Sequence, residues 1–417
     1  MTGTAADVQA ERVARWRQAR RVLLIRLDNL GDVLMTTPAL AAVRESLPEA
    51  QLTLLAAPSM AALAPHLPEV DRIVGFHAPW MKAGADALAA GGLLAGRAER
   101  QALAQWADEG YDAAIIFTVC TQSVFPAATM CRLAGIPRVL GHARERAYGL
   151  LSDEIPDRDE VGDGMRHEVR RQLDLVGAVG LRTRDERLRF RVLEGDREAV
   201  RQRLVAAGVG PRQPFVVVHP GASAPSRRYP ADRLGESAGL LRQAMVARTG
   251  ASGAGGPGGA GDSPPAIVVC GGPGEESLVQ ETVRALAAAD LPASTARGLV
   301  LSPRVSGVGE LAALIAEADL LIGNNSGPVH LAAAVGTPVV DLYALTNPQH
   351  TPWLVPSRVL FRDVPCRFCQ KSLCPEGHHR CLSGVSPREV AAAAIALMPA
   401  RFTAIVPPPQ PALGEAA

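Results

Sequence analysis

One pattern, present twice, constrains this chain more than any other. A short apolar run ends at a glycine-bearing turn and gives way to a helical period. The first copy is Arg21–Leu27 (RVLLIRL), then the turn Asp28–Asp32 and a helix from about Val33 to Ser46. The second is Pro214–His219 (PFVVVH), then a glycine turn and a helix over Ala231–Ala247. Unbroken apolar runs of this length are strands buried on both faces, as in parallel sheets. Further strands are predicted at Gln51–Ala56, Asp71–Phe76, Tyr111–Thr118 and Arg138–Gly141, and then at Ala266–Cys270, Asp319–Gly323 and Pro338–Tyr343. Helical periods separate them at Gln122–Ala134, His167–Gly177, Glu275–Ala288, Val308–Ala318 and Val329–Val335. The predicted class is α/β, in two halves joined by a linker within 183–212. Ligands of such folds bind where the strands' carboxyl ends border a cleft.

A chain of 417 residues suits two such domains rather than one core. The expected division is a leader at 1–20, a first domain at 21–190, a second at 191–400 and a Pro-rich disordered tail at 401–417. Residues 249–265 read as a flexible Gly-rich insert in the second domain, without the Gly-Lys-Ser/Thr ending of a phosphate loop. Residues 83–104 read as a loose surface helix, and 1–20 as a frayed leader helix. A formal net charge of +1 argues against a general nucleic-acid binder. The longest apolar stretches, 311–322 and 329–345, are interrupted too early to span a bilayer. With no secretory leader in the first 20 residues, the expectation is a cytoplasmic protein with mostly reduced cysteines.

Three segments could carry chemistry. In Arg26-Leu-Asp-Asn-Leu-Gly-Asp32, Gly31 lets backbone approach a ligand, and Asp32 is either a helix N-cap or a reactive carboxylate. In His219-Pro-Gly-Ala-Ser223 and Arg227-Arg-Tyr-Pro230, the arginines suit a diphosphate, or else lie solvated on the surface. In Asp319-Leu-Leu-Ile-Gly-Asn-Asn-Ser-Gly-Pro-Val-His330, a strand ends in a polar turn. Asn325, Ser326 and Gly327 there open a helix with Pro328 in its first turn. His330 follows one turn later.

In this order and spacing, the segments resemble glycosyltransferase family 9, the heptosyltransferase family of lipopolysaccharide assembly, over roughly residues 20–400. The resemblance rests chiefly on residues 26–40 and 324–338. It implies a GT-B fold of two Rossmann-like domains, and an inverting transfer from a nucleotide-activated sugar, typically ADP-heptose, with no cofactor required for catalysis. It places Asp32 at the catalytic base. It places Gly31, Ser223, Arg227, Asn325, Ser326, Gly327, Pro328, His330 and Thr346 around the donor. The acceptor would be a lipopolysaccharide-core or related surface glycan, lipid-linked, with the enzyme at most peripheral at the inner face of the cytoplasmic membrane. Two departures stand out: Arg-Arg-Tyr-Pro where the family has Lys-x-Trp-Pro, and Asn325 where many members have Asp.

Cys366, Cys369, Cys374 and Cys381 form a dense thiol cluster that could close a structural zinc site, with disulfides as the competing reading. Cys120, Cys131 and Cys270 read as small core residues. Arg138, Arg144 and Arg146 either face an anionic acceptor or form a solvated surface. Two other functions stay open: a sugar-nucleotide epimerase of the same fold, and a nucleotide-sugar-binding protein without turnover. An NAD-dependent oxidoreductase is disfavoured because neither first strand is followed by a three-glycine fingerprint.

Overall fold

The structure is a computed structural model that describes residues 4–82, 96–211, 213–251, 265–289, 300–301 and 305–398. The predicted alternation is present. Strands β1 (Arg21–Arg26), β2 (Gln51–Ala56), β3 (Arg72–Gly75), β4 (Ala113–Ile116), β5 (Val139–Ala143) and β6 (Asp153–Pro156) belong to the first half. Strands β7 (Phe215–His219), β8 (Ala266–Val269), β9 (Val300–Leu301), β10 (Leu320–Asn324), β11 (Val339–Leu342) and β12 (Ser357–Leu360) belong to the second. The helices are α1 (Ala5–Trp16), α2 (Leu30–Ser46), α3 (Arg97–Glu109), α4 (Phe125–Leu133), α5 (Glu168–Gly177) and α6 (Glu194–Ala206). They continue with α7 (Ala231–Ala251), α8 (Glu276–Ala289), α9 (Val308–Glu317), α10 (Gly327–Val335), α11 (Arg380–Ser383) and α12 (Pro387–Leu397).

Each half builds one six-stranded sheet, ordered β3-β2-β1-β4-β5-β6 and β12-β11-β10-β7-β8-β9. The recorded pairings are all parallel: Leu24 stands between Leu54 and Ile115, and Val217 between Val268 and Leu321. Both orders reverse beside their first strand, as in a doubly wound Rossmann sheet, so each has its ligand-binding switch point there. These central strands are buried on both faces, which is why they read as unbroken apolar runs.

The structure corrects several expectations. The leader is not frayed between residues 4 and 16. Trp16 is fully buried, its indole donates to Asp153 at 3.0 Å, and Arg12 and Arg15 pair with the same carboxylate. The predicted linker contains a helix, α6, which packs on α9 through Val200 and Leu204. Its charged face had masked so sparse an apolar stripe. Edge strands β6 and β12 were not foreseen, because both carry polar or charged residues at one edge of a sheet. Helix α7 runs to Ala251, beyond the expected end at Ala247. Residues 83–95 of the predicted surface helix, 252–264 of the Gly-rich insert and the tail from 399 lie outside the described residues.

Candidate active site

The two switch points face each other. In the first half, β1 delivers Arg26 and the turn to α2. The N-cap of that helix is Asn29, so Asp32 lies within the first helical turn. This removes the N-cap reading of Asp32: the helix starts three residues earlier than the apolar period suggested. The Asp32 side chain keeps 17% of its surface open, toward the cleft.

Beneath it lies Arg26, completely buried and surrounded by three carboxylates. Its Nη2 donates to Asp32 Oδ1 at 3.2 Å and lies 3.0 Å from Glu168 Oε1, while its Nε is 3.1 Å from Asp28 Oδ2. Burial works against the guanidinium charge, yet Asp28, Glu168 and Asp32 drive its pKa upward. Burial raises Asp32 above the ordinary carboxylate range. Arg26 opposes that rise, Glu168 adds to it, and Arg227 opposes it from the other domain. Burial also raises Asp28, to about 6, against the pull of Arg26. Burial alone would raise Glu168 too, but Arg26, His350 and Arg171 hold it low and therefore ionised.

In the second half, Asn324 fastens the turn after β7. Its carbonyl oxygen accepts from the Tyr229 amide at 2.8 Å, and its Nδ2 donates to Pro220 O at 2.7 Å. Ser326 is the N-cap of α10, and Gly327 and Pro328 form its first turn. The side chain of Ser326 makes no capping bond; Pro328 has no amide hydrogen and the Val329 amide donates to Ser326 O at 3.1 Å, so the Gly327 amide is what the first turn offers an anion. Ser223 is exposed and Arg227 half-buried. Among the described residues Arg227 has no carboxylate at ion-pair distance. Its charge nevertheless acts on Asp32, His330, Tyr343 and His350, which places it at the cleft.

The two halves interlock through α2 and α10. A Cβ at Gly31 would stand 2.7 Å from the His330 ring, and one at Gly327 would stand 2.9 Å from Leu30. Gly31 therefore makes room for His330. His330 is buried with its pKa lowered by burial to about 3, so it is a neutral packing residue rather than a cleft cation. Asn325 is likewise turned inward. Its Nδ2 donates to His350 O at 2.7 Å and to Asp341 Oδ2 at 3.1 Å, and burial pushes that aspartate up to about 8. Its amide hydrogens thus serve the fold. Thr346 is buried, with its carbonyl accepting from Gln370 at 2.9 Å.

The cysteine segment braces these turns. Ser226, next to Arg227, bonds through its amide to Ser372 O and through its hydroxyl to Lys371 O, and its carbonyl meets His379 Nε2 at 2.6 Å. The four cysteines are free and half-buried, with Cys366 Sγ 3.7 Å from His378 Nε2. Among the described residues no three His, Cys, Asp or Glu side chains are grouped so as to hold a metal. As arranged, the four thiols do not fit a zinc ion. Cys131 and Cys270 are buried thiols that burial pushes up to about 12, and Cys120 is buried as well, as expected of core residues.

Sequence reasoning assigned no role to Arg26, Glu168, Asp341 or His350. Arg26 could have been found, since it is a charge inside an otherwise apolar central strand. Glu168 belongs to no motif, and only the fold brings it to Arg26 across 142 positions of sequence.

Two parallel Rossmann-like sheets, with their switch points opposed across a cleft, define the GT-B class. Part of the chain is similar to glycosyltransferase family 9. The profile of Glycosyltransferase family 9 (heptosyltransferase) matches residues 263–379. Lipopolysaccharide heptosyltransferase 2 of Escherichia coli K12 is 24% identical over 380 residues, covering 89% of this chain and 96% of that protein. Lipooligosaccharide heptosyltransferase 2 of Campylobacter jejuni is 35% identical over 78 residues, which cover 18% of this chain and only 24% of that relative's length. Among solved structures, a family 9 glycosyl transferase from Veillonella parvula superposes with TM-score 0.66 at 19% identity, over 91% of this chain and 97% of that one. The Escherichia coli ADP-heptose lps heptosyltransferase II does so with TM-score 0.64 at 22% identity, over 90% and 98%. These superpositions establish the fold.

Proposed function

We propose that the chain is an inverting glycosyltransferase that moves heptose from ADP-heptose to a hydroxyl of a lipopolysaccharide-core or related surface-glycan acceptor. The observation that carries this reading is the opposition of Asp32, on the first half, to Arg227 and the open start of α10 on the second. The acceptor oxygen attacks the anomeric carbon while Asp32 takes its proton, and the carbon–oxygen bond to the diphosphate breaks. The leaving ADP carries away the bonding pair, and its negative charge meets Arg227 and the Gly327 amide at the start of α10. No cofactor enters this sequence. The names of the relatives, heptosyltransferases of lipopolysaccharide and lipooligosaccharide, support the transferred sugar and the acceptor class. Ser223 and Ser326 border the same turn and are proposed donor contacts, with Gly327 and Pro328 supplying the helix start. Arg144 and Arg146 remain either acceptor contacts or a solvated surface, whereas Arg138 donates to Asp112 O at 2.9 Å and to Arg15 O at 2.6 Å and is a contact within the first domain.

Incubation of the pure protein with ADP-heptose, with and without a lipopolysaccharide-core acceptor, tests this. ADP release and heptosylated product are expected only with acceptor. Conversion of the donor alone to an isomer would establish the epimerase, and binding without turnover the third reading. No helix among the described residues is long and apolar enough to cross a membrane. Cytoplasmic residence with peripheral attachment follows from a lipid-linked acceptor, and co-sedimentation with acceptor-bearing vesicles checks it. Structural zinc at Cys366, Cys369, Cys374 and Cys381 rests on ligand type alone. Stoichiometric metal in protein purified under reducing conditions would support it, and its absence would remove it.

A further inference from the structure

The buried guanidinium of Arg26 touches three carboxylates, and one of them reaches it from an unexpected direction. Glu168 opens α5, which packs on α2 of the first domain and whose N-terminal end meets the second domain. Its own amide donates to Gln349 O at 3.0 Å, and neighbouring His167 meets Thr351 O at 2.8 Å while stacking against Trp353. Gln172 donates to Glu168 Oε1 at 2.7 Å and fixes its rotamer. Glu168 Oε2 and Arg26 Nη1 are buried without a hydrogen-bond partner among the described residues. A site built for stability alone would pair such groups, since an unsatisfied buried charge is costly. We infer that Glu168 is a positioning residue, which draws Arg26 away from an exclusive pair with Asp32 and so sets how readily Asp32 accepts the acceptor proton.

The inference rests on the reading of Asp32 as base. Facing Asp32 are Arg26 from β1, Asp28 from the turn, Glu168 from α5 and Arg227 from the donor side; neutral His330 and His350 complete its surroundings. Arg171, on the same helix as Glu168, also acts on that carboxylate. Of the three carboxylates around Arg26, Asp32 is the most exposed, at 17% of its side chain against 10% for Asp28 and none for Glu168, and it takes the proton released by the attacking hydroxyl. Glu168 stays ionised, so its charge favours the protonated form of Asp32. Arg26 favours the ionised form and keeps the base ready before the acceptor arrives.

Three variants test this: Glu168→Gln, Arg26→Lys and Asp32→Asn, assayed for transfer from ADP-heptose to a lipopolysaccharide-core acceptor against pH. Calorimetric binding of ADP and circular dichroism serve as controls for folding. Turnover needs ionised Asp32, so it falls as pH drops through the Asp32 pKa. Glu168→Gln removes a negative neighbour and is expected to move that acid limb down by about one pH unit. Arg26→Lys keeps the charge but loses the planar fork, and is expected to move the limb upward. Should Glu168→Gln not yield folded protein, Glu168→Asp withdraws the charge by one methylene and is expected to shift the limb down by less. Limbs coincident with wild type, or shifted the same way in both variants, would overturn the inference while inactive Asp32→Asn left the base reading standing. Active Asp32→Asn would remove both.

Discussion

At the scale of single residues, the first domain contributes a carboxylate and the second a cation. Arg227 is half-buried at the cleft without a carboxylate partner among the described residues, so it is available to a ligand. Arg227→Ala is expected to raise the KM for ADP-heptose on the order of tenfold or more, the scale of one lost charge-assisted contact. Arg227→Lys should recover only part of that loss, because an ammonium cannot bind two oxygens side by side; steady-state kinetics in donor concentration check both. Asp341 allows a stability prediction. Burial raises its folded pKa to about 8, above the ordinary aspartate value of about 3.9. A raised carboxyl contributes stability at low pH that is lost as pH rises toward its folded pKa. The Asp341 contribution to the thermal unfolding midpoint should therefore fall between about pH 4 and pH 8, read as the difference between wild type and Asp341→Asn across that range. Asp32 and Arg227 were legible in the sequence because each follows a strand end at a glycine-marked turn. The inward turn of Asn325 was not, since it depends on Asp341 from the neighbouring strand and on the His350 carbonyl.

At the scale of elements, helix starts carry the site. The α2 and α10 first turns touch, with Gly31 against His330 and Gly327 against Leu30. Gly31→Ala must push the His330 ring or separate the helices. It is expected to cost about 1–3 kcal/mol and to lower turnover more than donor affinity, as read from chemical denaturation together with kinetics. Helix α1 is the other case. Trp16, Arg12 and Arg15 converge on Asp153 at the β6 edge, so the helix acts as a brace on the first sheet. Trp16→Ala is expected to destabilise by about 3–5 kcal/mol, measurable by denaturant unfolding. The central strands were readable from their apolar runs. Edge strands β6 and β12 and helix α6 were not, because their buried faces are narrow and only the partner surfaces reveal them.

At the scale of the molecule, the repeated strand–turn–helix unit accounts for the architecture. Two sheets of identical strand order oppose their switch points, and the residues after β1, β7 and β10 meet at one cleft. What the sequence could not convey is the joint between the halves: the docking of residues 349–353 on α5, which carries Glu168 to Arg26. The most direct test of the central claim is a crystal structure with a non-transferable ADP-heptose analogue. The expected result has the diphosphate against Arg227 and the start of α10. The anomeric carbon should face Asp32 across a gap that fits one acceptor hydroxyl, with that oxygen about 3–3.5 Å from the carbon. A donor bound away from Arg227, or an anomeric carbon turned from Asp32 with no room for an oxygen between them, would contradict it.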